Sequence, residues 1–192
     1  MTRDRRFDTQ GDQDRAHHLP DAGPFNAARQ QAVSLDAVVY GRSRDQSVPA
    51  VVTTEPRLAL LIGNSRYKWQ EPIENPVRDV RLIAWTLEGL GFAVSRIENA
   101  GLTQMQDAIL AFGEALEAAG SDAVALVYFA GHGVQQDGAN FLIPTDAQLP
   151  SPRYLTTRTV ALDAVVTELG RTKRKATLVI LDACRTALPG LD

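Results

Sequence analysis

Apolar residues in this chain alternate between short continuous runs and longer segments at helical spacing. Leu58-Ala59-Leu60-Leu61-Ile62, stopped by Gly63-Asn64, has the length and continuity of a strand buried on both faces. At Asn75-Pro76 the period changes. Val77, Val80, Ile83, Ala84 and Leu87 share one stripe, with Asn as N-cap, Pro at the first helical position, and Gly89 and Gly91 as the stop. Phe92 to Ile97 predicts a second strand. Thr103 and Gln106 have capping-box spacing before a stripe of Met105, Ile109, Phe112 and Leu116, which Gly120 closes. Ala123 to Ala130 predicts a third strand, and Val134 to Pro144 a small hairpin turning at Asp137-Gly138. Asp163 opens a short helix with Val165, Val166 and Leu169, stopped by Gly170. A fourth apolar run, from Ala176, ends at Cys184.

Strands alternating with helices require a mainly parallel sheet, here of four core strands, with helices on both faces: an α/β three-layer sandwich. Residues 1–56 do not join this pattern. They are rich in Arg, Asp and Gln, carry Pro20, Pro24, Pro49 and Pro56, and read as a flexible N-terminal arm or linker before a folded domain at 57–192.

Composition narrows the function classes. A net charge of −3 and a pI near 5.6 predict no general attraction to nucleic acid or to an anionic membrane. The basic run Arg171-Thr172-Lys173-Arg174-Lys175 reads as a solvated loop. No stretch reaches the ~18 apolar residues of a membrane span, and no apolar region follows the charged N-terminus, so a cytoplasmic protein is expected. The single cysteine cannot form an intrachain disulfide.

That cysteine carries the candidate chemistry. In parallel sheets ligands sit beyond the carboxyl ends of the strands. The third predicted strand runs into Gly131-His132-Gly133 and the fourth into Cys184, about 50 residues later. A thiol with an ordinary pKa of about 8.5 is only slightly ionised at neutral pH and needs a base beside it. His132 is the only histidine outside the arm, where His17 and His18 lie. The bland alternative is a core cysteine and a turn histidine unrelated in space.

Tyr128-Phe129-Ala130-Gly131-His132-Gly133 and Leu181-Asp182-Ala183-Cys184-Arg185 resemble the His and Cys motifs of caspase-like cysteine peptidases, especially the bacterial branch related to metacaspases. Leu60-Leu61-Ile62-Gly63-Asn64 with Tyr67, Asn75-Pro76-Val77-Arg78-Asp79, and Phe141-Leu142-Ile143-Pro144-Thr145-Asp146-Ala147 extend the likeness over about 57–185. The resemblance implies a cysteine endopeptidase acting on polypeptide substrates without a cofactor. Cys184 would be the nucleophile and His132 its proton carrier. The backbone N–H groups of Gly133 and Cys184 would form the oxyanion hole. No third side chain is evident to orient the imidazole.

Caspases carry Gln-Ala-Cys where this chain has Asp182-Ala183-Cys184. Exchanging the amide for a carboxylate favours Arg or Lys before the scissile bond. The resemblance adds Asp79 as a second acid of that pocket, although a carboxylate at a helix start is also favoured by the helix dipole alone. Asp146 is expected in a structural turn contact. Gln148 to Val160 holds no Asp or Glu, so no calcium site of the metacaspase type is predicted, and no other metal. Only eight residues follow Cys184, without the smaller portion that usually completes the sheet. Either the sequence is a fragment of a longer protein, or another molecule, a partner chain or a second copy, covers the open sheet edge. The alternative function is a non-catalytic scaffold or regulatory domain using that edge. A basic-specific peptidase could also cut itself after Arg42, Arg44 or Arg57.

Overall fold

The computed structural model describes residues 55–185, the last two by their backbone alone. Residues 1–54 of the predicted arm, with Arg42 and Arg44, lie outside the described residues. The elements are β1 (Arg57–Gly63), α1 (Pro76–Gly89), β2 (Ala93–Glu98), α2 (Leu102–Ala119), β3 (Val124–Gln136), β4 (Ala139–Leu142), α3 (Leu155–Arg158), β5 (Val160–Ala161), α4 (Leu162–Leu169) and β6 (Ala176–Arg185).

β1 lies between β2 and β3, and β6 takes the other edge of β3; all three pairings are parallel. This is the predicted four-stranded parallel core. Two antiparallel strands enlarge it, because β3 runs six residues past the expected end at Ala130, to Gln136. β1 stops at Gly63, opposite Ala130, and the edge of β3 freed there is taken by β4, with Gly133 opposite Leu142. β5 then pairs with β4. The predicted turn at Asp137-Gly138 joins β3 to β4, both residues at positive φ (51° and 82°), as a two-residue hairpin requires. His132 therefore lies inside a continuous strand rather than at its end.

The pleat divides the core between two layers. Leu58, Leu60, Ile62, Val127 and Phe129 face α2 and α4, packing on Met105, Phe112, Leu116, Val165 and Leu169. Ala59, Leu61, Leu126, Tyr128 and Ala130 face α1 through Val80, Ala84 and Leu87. Most of these side chains are fully enclosed, each worth about 1.5–3 kcal/mol of transfer free energy. A Cβ on Gly63 would stand 2.7 Å from Val80 Cγ2 and 2.8 Å from the Pro76 carbonyl, so this glycine lets the end of β1 touch the start of α1.

Helix starts differ from expectation in their caps. Asn75 precedes α1 without a side-chain cap; the Ser65 hydroxyl, arriving from the β1–α1 loop, accepts from the Val77 N–H instead. α2 begins at Leu102 rather than after Thr103. Gln104 accepts from the Gly101 N–H, and Asp146 accepts from the Leu102 N–H at 2.9 Å. Asp146 thus makes a structural contact, as anticipated, by capping a helix 44 residues away in sequence. Within the basic loop, Arg171 faces Glu117 and Glu168, Lys175 pairs with Glu55, and Arg174 donates to the Leu169 carbonyl.

The strand ends are tied together by amides. Asn64, fully buried, donates to the carbonyls of Ala100 and Ile143 (both 3.3 Å) and accepts from the Ala100 N–H at 2.8 Å. Asn99, at φ 52°, accepts from the N–H groups of Ser65 and Arg66. Asn64→Ala strands the Ala100 N–H and the Ile143 carbonyl, while the Ala100 carbonyl keeps the Thr145 N–H. The substitution is expected to lower unfolding free energy by about 2–3 kcal/mol in urea titration. A loss below about 0.5 kcal/mol would show that the network does not hold these loops.

Candidate active site

The sheet register does what the sequence could only anticipate. His132 on β3 pairs with Cys184 on β6, in parallel, one strand spacing apart. In-register positions on neighbouring strands share a face of the pleat. Tyr128, Ala130, Asp182 and these two positions consequently lie on the face that α1 covers.

His132 is fixed from several sides. It is 9% exposed. Its backbone N–H donates to the Tyr67 hydroxyl at 2.8 Å, and the two rings approach to 4.5 Å between centroids, tilted by 56°. Its carbonyl accepts from the Ile143 N–H at 3.0 Å. Nε2 stands 2.7 Å from the Glu71 carbonyl oxygen. A carbonyl can only accept, so Nε2 carries the hydrogen. In the neutral ring this assigns the lone pair to Nδ1, the nitrogen able to take up a proton. Burial pushes the Tyr67 phenol well above its usual range, which keeps the hydroxyl protonated while it accepts from His132. Gly131 is required by the same packing: a Cβ there would stand 2.5 Å from Tyr67 Oη and 3.0 Å from Phe129 Cζ.

The orienting partner of the imidazole is thus a backbone carbonyl. Glu71 carries no signature for this role, because any residue type presents the same oxygen. Tyr67 could be noticed only through its place in a motif.

Gly133 faces Leu142 on one side and Arg185 on the other. Along a strand, N–H and C=O of one residue point to the same edge, and successive residues alternate. His132 uses the β4 edge, so the Gly133 N–H points toward β6. The expected oxyanion donor is directed into the β3–β6 ladder.

One of the two expected pocket acids meets a buried hydroxyl. Tyr128 donates to Asp182 Oδ2 at 3.1 Å. Asp79 lies in the first turn of α1. The Tyr128 phenol is pushed well above its usual range by burial first, then by its hydrogen bond to Asp182 and the charges of Asp182 and Asp79. Asp79 therefore occupies a helix start and also lies within electrostatic reach of the Asp182 site. Asp182 itself is exposed.

Arg57 is the first residue of β1, opposite Val124, and its guanidinium donates to the Leu90 carbonyl at 2.9 Å. Cleavage after Arg57 would require unpicking a strand from the sheet. No group of three or more His, Cys, Asp or Glu positioned for a metal occurs among the described residues. No helix among them is long and apolar enough to cross a membrane.

Known proteins agree with this architecture. Protein GSU0716 from Geobacter sulfurreducens, known from its crystal structure, superposes with a TM-score of 0.54 at 21% identity, over 70% of this chain and 52% of that one, a likeness of fold. The human mucosa-associated lymphoid tissue lymphoma translocation protein 1 is 28% identical over 129 residues, 67% of this chain. Its mouse homologue is 29% identical over 130 residues. The chain spans 15% of the length of each of these curated relatives. The caspase-domain family model matches residues 56–191, and the protein belongs to the caspase-domain family, whose fold is that of the caspase-like cysteine peptidases.

Proposed function

We propose that the chain is a cysteine-type endopeptidase that uses Cys184 and His132 as a dyad and cleaves after Arg or Lys, as in the branch related to metacaspases. The observation that carries this reading is the pairing of positions 132 and 184 across the β3–β6 ladder. The Cys184 sulfur attacks the scissile carbonyl carbon, the C–N bond breaks, and an acyl thioester forms. His132 Nδ1 takes up the thiol proton and delivers it to the departing amine. Water then hydrolyses the thioester, releasing the acid and restoring the thiol. Gly133 and Cys184 supply the oxyanion N–H groups, which requires the ladder beyond positions 132 and 184 to open.

Asp182 and Asp79 form the cationic-residue subsite. Asp182 lies two residues before the nucleophile on the same face of β6, where the side chain before the cleaved bond must pass. A fluorogenic peptide panel tests this. Arginine or lysine at that position is expected to be cleaved and aspartate refused. Asp182→Asn should lower kcat/KM for the arginine peptide by about 30- to 300-fold. Cleavage after aspartate, or an unchanged Asp182→Asn enzyme, would overturn the specificity.

One observation favours a second reading, a non-catalytic domain that binds a partner. Leu178, Ile180 and Leu181 are 47%, 43% and 37% exposed on β6, which pairs with β3 alone among the described residues. A folded chain that turns over no peptide of the panel would leave this reading in place of the first.

A further inference from the structure

We propose that Tyr128 is a positioning residue of the cationic subsite, its hydroxyl holding the Asp182 carboxylate in the orientation that receives the substrate's arginine or lysine. The inference rests on the reading of Asp182 as the acid of that subsite and goes beyond it by assigning what aligns it.

Asp182 is an exposed side chain on a strand with one partner among the described residues. Left alone, such a carboxylate samples several rotamers, and fixing it on binding costs conformational entropy. Tyr128 stands in the opposite condition. It is 5% exposed, and its ring belongs to the cluster of Ala59, Leu61, Val80 and Ala84 beneath α1. Its hydroxyl is therefore a fixed point in the molecule. It donates to Asp182 Oδ2 at 3.1 Å and leaves Oδ1 for an incoming cation.

The register explains how the two meet. Tyr128 lies opposite Ile180 on β6, and Asp182 is the next residue along on the same face. The position directly opposite Asp182 is the small residue Ala130. The phenol stays protonated across the working pH range, because burial and the neighbouring carboxylates oppose its ionisation. It cannot compete as an anion for the substrate's cation. Asp79 adds its charge to the same locus from α1, so a substrate guanidinium meets one aligned carboxylate and a second negative charge.

A purely structural account reverses the dependence: Asp182 would merely satisfy a buried phenol. The two accounts differ in what Tyr128→Phe does. The full chain is assayed with an arginine peptide in four forms: wild type, Tyr128→Phe, Asp182→Asn and the double variant. Binding of the same peptide to each in a Cys184→Ala background is measured by calorimetry. Tyr128→Phe is expected to raise KM and the calorimetric Kd about five- to twentyfold, with kcat within about twofold. In the Asp182→Asn background the same change should shift both constants less than about twofold, because the carboxylate it aligns is gone. Wild-type turnover with KM and Kd unchanged in Tyr128→Phe overturns the positioning role and leaves the peptidase reading standing. Equal effects in both backgrounds, or a fall in kcat with KM unchanged, also overturn it, since general loosening of the strand acts without Asp182. A wild type that neither binds nor cleaves the arginine peptide removes both readings together.

Discussion

Cys184→Ala is expected to reduce turnover of an arginine peptide by at least about a thousandfold while the protein stays folded. The reasoning is chemical before it is structural. Bond cleavage through a thioester needs a polarisable nucleophile, and Cys184 is the only cysteine in the chain. No other thiol can substitute. Ten rungs from Val124–Ala176 to Gly133–Arg185 hold β6 on β3, and an alanine at 184 keeps its backbone partner His132. Far-ultraviolet circular dichroism and melting temperature should therefore match the wild type. Activity above a tenth of the wild-type value in a folded variant would remove Cys184 from the mechanism.

His132→Ala is the second large effect. A positioned general acid–base residue contributes about 10²–10⁴-fold, and a loss of about a thousandfold in kcat is expected here, with KM changed less than about threefold. The split follows from geometry. The imidazole is held by Tyr67 and the Glu71 carbonyl, whereas the proposed cationic subsite is built on Asp182, which Tyr128 contacts. Some stability should also be lost, about 1–2 kcal/mol, because the Glu71 carbonyl loses its donor. Steady-state kinetics beside a urea titration separates the two consequences. A rise in KM at constant kcat would assign His132 to binding rather than proton transfer.

Much of this was legible because local period and tertiary role agree. Ala59, Leu61, Leu126 and Val127 read as strands from continuity alone, since both faces of a parallel sheet are covered. The α1 stripe from Val80 to Leu87 read as a helix for the same reason. What stayed hidden depends on distance in sequence. The start of α2 is set by Asp146, and no pattern near Leu102 announces a cap from so far away. The length of β3 is decided by β4 replacing β1 as its edge partner, a tertiary exchange that left the His motif looking like a strand end.

The site divides the same way. His132 and Cys184 could be singled out as residue types with few rivals, but only the β3–β6 register puts them side by side. The orienting group escaped notice because the Glu71 contribution is a carbonyl. Asn64 was visible as the end of a strand, whereas its hydrogen bonds to Ala100 and Ile143 depend on loops that converge only in the fold. Tyr128 stands out in the sequence only as a member of the His motif. Its bond to Asp182 follows from a diagonal relation between two strands about 50 residues apart.

The dyad is tested most directly by labelling with a peptidyl-arginine ketone that traps a nucleophilic thiol. Adduct formation is followed by intact mass, and the modified residue is located by peptide mapping. The wild type should acquire a single adduct on Cys184, and His132→Ala should acquire it at least about a hundredfold more slowly. Equal labelling rates in the two proteins, or an adduct elsewhere in the chain, would contradict the claim that the paired thiol and imidazole act as one catalytic unit.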